Sequence, residues 1–148
     1  MTIKFASILT AAALVAGPAL ADGHVTGDAE AGEKAFNKCK SCHMIVTDAG
    51  ETIVKGGKTG PNLYGIAGRT AGTVEDFRYG KSLVQAGEMG VVFDEATFVE
   101  YVQDPRKFLQ TTLDDSKARS KMSFKLRKGG EDIYAYLVSV GPQEDSGS

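Results

Sequence analysis

Cys39, Cys42 and His43 stand together in CKSCH. Two thiols three residues apart, followed at once by an imidazole, suit three kinds of chemistry. The first is a dithiol–disulfide couple, since C-x-x-C is the oxidoreductase spacing. That couple belongs on a strand–helix–strand framework, and no strand-rich stretch flanks the motif. The second is zinc. A structural zinc site is closed by four protein ligands, yet the chain has two cysteines in all, and its one other histidine is His24. The third is covalent haem. Each thiol adds to a vinyl group as a thioether, and the next residue sets an imidazole nitrogen under the ring. This reading uses all three residues. It predicts one haem c, with Cys39 and Cys42 as tethers and His43 as an axial ligand of the iron.

What such an iron does depends on the group opposite the histidine. An open position suits gas binding or peroxide chemistry. A thioether closes the iron, raises its potential and suits electron transfer. Past the N-terminal segment the methionines are Met44, Met89 and Met122. Met44 is held on the histidine side by its adjacency. Met89, in AGEMGVV, reads as a packing methionine. Met122, in RSKMSFK, lies far along the chain in a loop, as a segment crossing the second haem face should, and spacing favours it as sixth ligand. A peroxidase would need an acid–base residue at an open site, with His24 the sole spare histidine. In gas-binding haem proteins of the four-helix type the CxxCH lies near the C-terminus, whereas here it opens the mature chain.

The elements that must position these residues are legible in part. Residues 1–21, MTIKFASILTAAALVAGPALA, carry one charge, an apolar run and a small-residue ending. They read as a signal peptide cleaved after Ala21. The run of about 12 apolar residues is too short to span a bilayer. Residues 22–140 are expected to form a single domain, and residues 141–148 a flexible polar tail. The formal charge of −2, or −3 once Lys4 is lost with the leader, excludes a strongly basic nucleic-acid-binding domain.

Residues 27–40 read as a helix capped by Asp28, with acids early and lysines late. Thr47 to Gly68 is punctuated by glycine and reads as loop, with a turn of helix near Leu63 to Ile66. A short helix is expected over Lys81 to Ala86. Asp94 caps a helix that Pro105 ends, with Phe98, Tyr101 and Val102 as its buried stripe. Lys107 to Lys128 reads as a long loop. The last helix covers 131–140, with Ile133, Tyr136, Leu137 and Val140 inward. The class is all-α.

CKSCH at 39–43, KTGPNLYG at 58–65, GR at 68–69, FVEYVQDP at 98–105, KMSF at 121–124 and EDIYAYL at 131–137 occur in an order that resembles a class I cytochrome c of the bacterial cytochrome c2 type, related to mitochondrial cytochrome c. The likeness covers about Gly27 to Val140. It implies the cytochrome c fold, with three main helices and shorter ones wrapped around one covalent haem, and long loops. It implies that Met122 is the sixth ligand. It implies that the Pro61 carbonyl accepts the His43 ring N–H, a device that fixes an imidazole tautomer. Tyr101 would lie beside the methionine sulfur and hydrogen-bond it, and Arg69 and Tyr79 would contact the haem propionates. Gly32 and Phe36 would pack on Ile133 and Tyr136.

Two departures from the family stand out. Phe93 occupies the place of a tryptophan that donates to a propionate. The segments Thr47 to Lys58 and Leu109 to Lys121 are enlarged.

The implied function is one-electron carriage in the periplasm by a soluble monomer that is not an enzyme. The implied donor is a cytochrome bc1 complex. The implied acceptor is a photosynthetic reaction centre or a terminal oxidase. Lys117, Arg119, Lys121, Lys125, Arg127 and Lys128 bracket Met122 and are expected to form the docking face. Lys38, Lys40, Lys58 and Lys107 are candidates to extend it. A basic face on a net-acidic protein steers encounter with an acidic partner.

Overall fold

A computed structural model describes residues 25–143. The leader expected over 1–21, His24, and residues 144–148 of the expected tail lie outside the described residues. The order is α1 (Ala29–Ala35), a 3-10 turn (Phe36–Lys38), β1 (Ile45–Val46), β2 (Thr52–Val54), α2 (Lys81–Glu88), α3 (Glu95–Gln103), α4 (Pro105–Thr112) and α5 (Gly130–Val140). Among the described residues no helix is long and apolar enough to cross a membrane.

α1 begins where the sequence says it should, with the Asp28 carboxylate accepting from the Ala31 amide at 2.8 Å. It ends earlier than expected. The chain tightens at Phe36 and turns, with the amides of Cys42 and His43 both donating to the Cys39 carbonyl. The turn carries the chain out of the helix direction while keeping the two thiols, three residues apart, close together. α1 crosses α5 at close range. A Cβ on Gly32 would press into the Asp132 carbonyl and come to 2.8 Å from Tyr136 Cβ. Next to it the fully buried Phe36 ring packs tilted on Tyr136, centroids 5.8 Å apart. Burying a phenylalanine of this kind contributes about 1.5–3 kcal/mol. The Asp132 carboxylate adds a polar tie by accepting from the Asp28 amide at 2.9 Å.

α3 is capped by Asp94, whose carboxylate accepts from Thr97 N, and it buries Phe98, Tyr101 and Val102 as its spacing predicts. α5 starts after Gly129, which adopts a left-handed φ of 81°, and it buries Ile133, Tyr136 and Leu137 with Tyr134 and Ala135 besides. Val140 is only partly covered.

Several further expectations are corrected. Residues 105–112, expected to be helix end and loop, form α4. Pro105 does end α3, but it then stands in the first turn of a new helix, where its missing N–H costs nothing. Asp104 caps that helix by accepting from Lys107 N. The apolar Phe108 and Leu109 bury themselves on its inner side. The second correction is the stretch after the motif. It holds a short antiparallel hairpin, Ile45 opposite Val54 and Val46 opposite Thr52, rather than loop alone. Around Leu63 to Ile66 the chain makes a turn, Ile66 N to Leu63 O, and no helix. Of the expected tail, residues 141–143 fold back on α5: Gly141 N donates to the Val138 carbonyl, and Gln143 Nε2 to the Gly141 carbonyl at 3.2 Å.

Candidate haem cleft

One cleft of about 300 Å³ gathers most of the expected site. Cys39, Cys42, His43, Pro61, Tyr79, Tyr101 and Met122 all line it. Its walls are largely apolar, built from Leu63, Ile66, Leu83, Phe98, Val102 and Ile133 of the loops, α2, α3 and α5. Met122 is partly buried there, whereas Met89 is 66% exposed and neither Met89 nor Met44 reaches the lining.

The two thiols differ. Cys39 packs against the core, and burial pushes its pKa up to about 11. Cys42 is held below the ordinary thiol value by hydrogen bonds from Thr59 and Ser41. The two are not joined to each other in a disulfide.

His43 is oriented by its own loop. Its Nδ1 donates to the Pro61 carbonyl at 2.8 Å, which leaves Nε2 as the nitrogen with a free lone pair. Burial holds its pKa below the ordinary imidazole value, opposed by the Pro61 bond, which favours the protonated ring. Gly60 lies flat on the ring. A Cβ there would come to 2.6 Å from Nδ1 and 2.8 Å from Nε2.

Tyr101 stands at the centre of an aromatic set. Its ring meets Phe93 at 5.5 Å and Phe108 at 5.6 Å, both edge-on. Burial raises its pKa, and a hydrogen bond with Ser120 opposes that rise. The Ser120 hydroxyl also accepts from Met122 N at 3.1 Å. The structure thus links Tyr101 to the Met122 segment through Ser120, a residue that the sequence reading passed over. The only signal for it was a hydroxyl two residues before the methionine. Phe93 is buried in the lining. Its backbone carbonyl accepts from Tyr134 Oη at 3.2 Å and from Gly68 N at 2.9 Å.

Arg69 stands outside the lining. Its guanidinium donates to the Asn62 carbonyl at 3.3 Å and to the Tyr64 carbonyl, so it braces the loop that carries Pro61. Tyr79 and Asp48 lie close enough to favour its charge, against the lowering effect of burial.

The basic residues around Met122 are all exposed, and Lys38, Arg119 and Lys121 reach the cleft mouth. Two of the set have partners within the fold. Lys121 Nζ donates to the Arg78 carbonyl at 2.7 Å, and Lys125 forms an ion pair with Asp104 at 2.6 Å.

A deep apolar cleft with two thiols, an imidazole fixed by one nitrogen and a thioether suits an iron porphyrin, and the glycine pressed on the imidazole leaves no room for a side chain in its place. Comparison with known proteins points the same way. No protein-family model matches the chain. Cytochrome c-551 of Roseobacter denitrificans is 66% identical over 134 residues, 90% of this chain and 93% of the relative. The chain belongs to the cytochrome c2 family. Cytochrome c2 of Rhodobacter capsulatus is 52% identical over 140 residues, 95% of this chain and 98% of that protein. Its solved structure superposes with a TM-score of 0.75, covering 77% of this chain and 98% of that one. Ferric cytochrome c-550 of Paracoccus versutus superposes with a TM-score of 0.76 at 49% identity, covering 78% and 99%. As in other cytochromes c2, the cofactor is one covalent haem c with its iron, and the activity is electron carriage.

Proposed function

We propose that this cytochrome c2 is a periplasmic one-electron carrier, with Cys39 and Cys42 as haem thioethers and His43 and Met122 as the axial pair of the iron. The observation that carries the reading is that the thiols, a histidine fixed through Nδ1 and a single methionine line one apolar cleft. When bound, the haem supplies an iron that exchanges one electron between its ferric and ferrous forms.

The chain's own residues do the rest. The Pro61 carbonyl holds the His43 tautomer, so that Nε2 is the donor. A methionine thioether is a soft ligand and favours the reduced metal. Apolar walls exclude water and disfavour the more highly charged ferric state. Two retained ligands keep rearrangement small when the electron moves. Tyr101 acts on the methionine segment through Ser120. Tyr79 serves the propionates, and Arg69 acts on the site by bracing the loop that carries Pro61. Among the described residues His43 is the one imidazole that lines the cleft, and the protein is read as a carrier and not as an enzyme.

Residues 1–21 act as the export signal, cleaved after Ala21, and residues 22–140 form the single haem domain, followed by the tail at 141–148. The carrier works as a soluble monomer. A cytochrome bc1 complex is its donor, and a photosynthetic reaction centre or a terminal oxidase its acceptor. Docking uses the basic face around Lys117 to Lys128.

The test is Met122→Ala beside Met89→Ala in the oxidised holoprotein. Met122→Ala should abolish the iron–sulfur charge-transfer band and let cyanide bind rapidly. Met89→Ala should change neither. The reverse pattern, or a wild type that binds cyanide at once, overturns the ligand assignment.

A further inference from the structure

Segments 42–46 and 60–64 run side by side as a ladder that no regular sheet accounts for. Gly60 N donates to the Cys42 carbonyl at 2.8 Å, and Leu63 N to the Met44 carbonyl at 3.0 Å. Between them His43 Nδ1 donates to the Pro61 carbonyl. Proline has no N–H, so the ladder lacks a backbone rung at that point. The Asn62 side chain ties the far end. Its Oδ1 accepts from Val46 N at 3.0 Å and from Tyr64 N at 3.1 Å, and its Nδ2 donates to the Val46 carbonyl at 2.7 Å. A carboxamide paired with both the N–H and the C=O of one residue imitates a neighbouring strand. The pair joins the strand that leaves His43 to the residue that follows Pro61.

We infer that Asn62 is a positioning residue for the axial histidine: its three hydrogen bonds fix the Pro61 carbonyl on His43 Nδ1. This rests on the reading of His43 as an iron ligand. Asn62 touches neither the cleft nor the imidazole, so it acts only through the proline. A side chain of the same polarity that merely decorated the surface would need none of these contacts. With the clamp gone, the rungs from Gly60 and Leu63 and the Arg69 brace remain, but the Pro61 carbonyl between them is held less firmly on the ring. The Nδ1–H then exchanges with solvent more readily. The imidazole also gives less charge to the iron, since the bond to the carbonyl raises its basicity.

The experiment compares Asn62→Ala and Asn62→Asp with Asp28→Ala in the oxidised holoprotein. Asp28→Ala removes the α1 cap and serves as a destabilised control outside the ladder. NMR follows the His43 Nδ1–H, and voltammetry reads the reduction potential. In Asn62→Ala the proton should exchange about tenfold or more faster than in the control, as expected for loss of roughly 1.4 kcal/mol of local protection, and the potential should rise. Asn62→Asp keeps both acceptor contacts but sets a carboxylate oxygen against the Val46 carbonyl where the donor stood, so its exchange should also exceed the control's. If Asn62→Ala does not fold, Asn62→Asp decides alone. Exchange and potential that match the Asp28→Ala control overturn the inference and leave Asn62 a purely structural residue. A wild-type His43 ring without paramagnetic shift overturns the ligand reading instead.

Discussion

Gly60→Ala places one methyl group against the imidazole of His43. At ideal geometry that carbon stands 2.6 Å from Nδ1 and 2.8 Å from Nε2, inside any real contact, with the Cε1 edge closer still. The ring cannot step aside freely, because its Nδ1 is bonded to Pro61, the very next residue. Either the ring tilts and loses that bond or the loop bulges. Forcing a methyl into a packed site costs about 1–3 kcal/mol, and loss of a buried hydrogen bond about 1 kcal/mol more. The total of about 3 kcal/mol converts to a fall in Tm of roughly 10–15 °C for a domain of this size. Gly50→Ala is the comparison. Gly50 has φ 84°, but an added Cβ meets nothing within 4 Å. Its cost is the left-handed backbone alone, about 1 kcal/mol, or roughly 4 °C. Thermal unfolding of the two oxidised holoproteins, followed by circular dichroism, makes the measurement. A Gly60→Ala protein that melts at or above Gly50→Ala refutes the claim that this glycine is demanded by the imidazole.

Three further outcomes are expected. Gly32→Ala drives a methyl into the Asp132 carbonyl at the α1–α5 crossing, so it should lower urea stability by about 3 kcal/mol or more, with the spectrum of any folded fraction unchanged. The Asp104 carboxyl is held below its ordinary value, first by Lys125 and then by the Lys107 amide. A depressed pKa contributes stability above the ordinary carboxylate value and loses it as pH falls through the folded value. An acid titration should therefore find Asp104→Asn less stable than wild type at neutral pH, with the gap closing below about pH 3.8. Association with an acidic membrane partner should slow steeply as salt rises, read by stopped-flow mixing, and Arg119→Gln should flatten that slope. A rate indifferent to salt would remove the basic face from the account.

Much of the fold could be read from caps and stripes. Asp28 and Asp94 announce their helices because a carboxylate that satisfies orphan amides has few other reasons to precede an apolar period. The inward face of α3 follows from spacing alone; that of α5 does so for Ile133, Tyr136 and Leu137, while Tyr134 and Ala135 are buried besides and Val140 is only partly covered. α4 escapes a sequence reading because the same Asp104-Pro105 pair both ends one helix and begins the next, and the ending masks the beginning. The hairpin escaped because strands of two and three residues carry no period. The cleft was legible where chemistry is rare: two cysteines, one nearby histidine and few methionines leave little choice. It was illegible where the working group is common. Ser120 and Asn62 are ordinary polar residues in loops, and only their hydrogen bonds set them apart. Arg69 was expected at the cofactor, yet its guanidinium is held by backbone carbonyls, a partner that no sequence pattern advertises.

The crossing of α1 and α5 also dictates an order of events in the life of the chain. The Asp28 amide and the Asp132 carboxylate that meet there are 104 residues apart. At synthesis rates of about 5–20 residues per second, the first helix waits roughly 5–20 seconds for its partner to exist. Through that interval α1 lacks its cover, and CKSCH, which follows it, belongs to an open and accessible chain. Closing so long a loop carries an entropy cost of roughly 4 kcal/mol, so the early segment gains little by waiting in a folded shape. The first helix therefore gains its cover only when the helix made last docks on it.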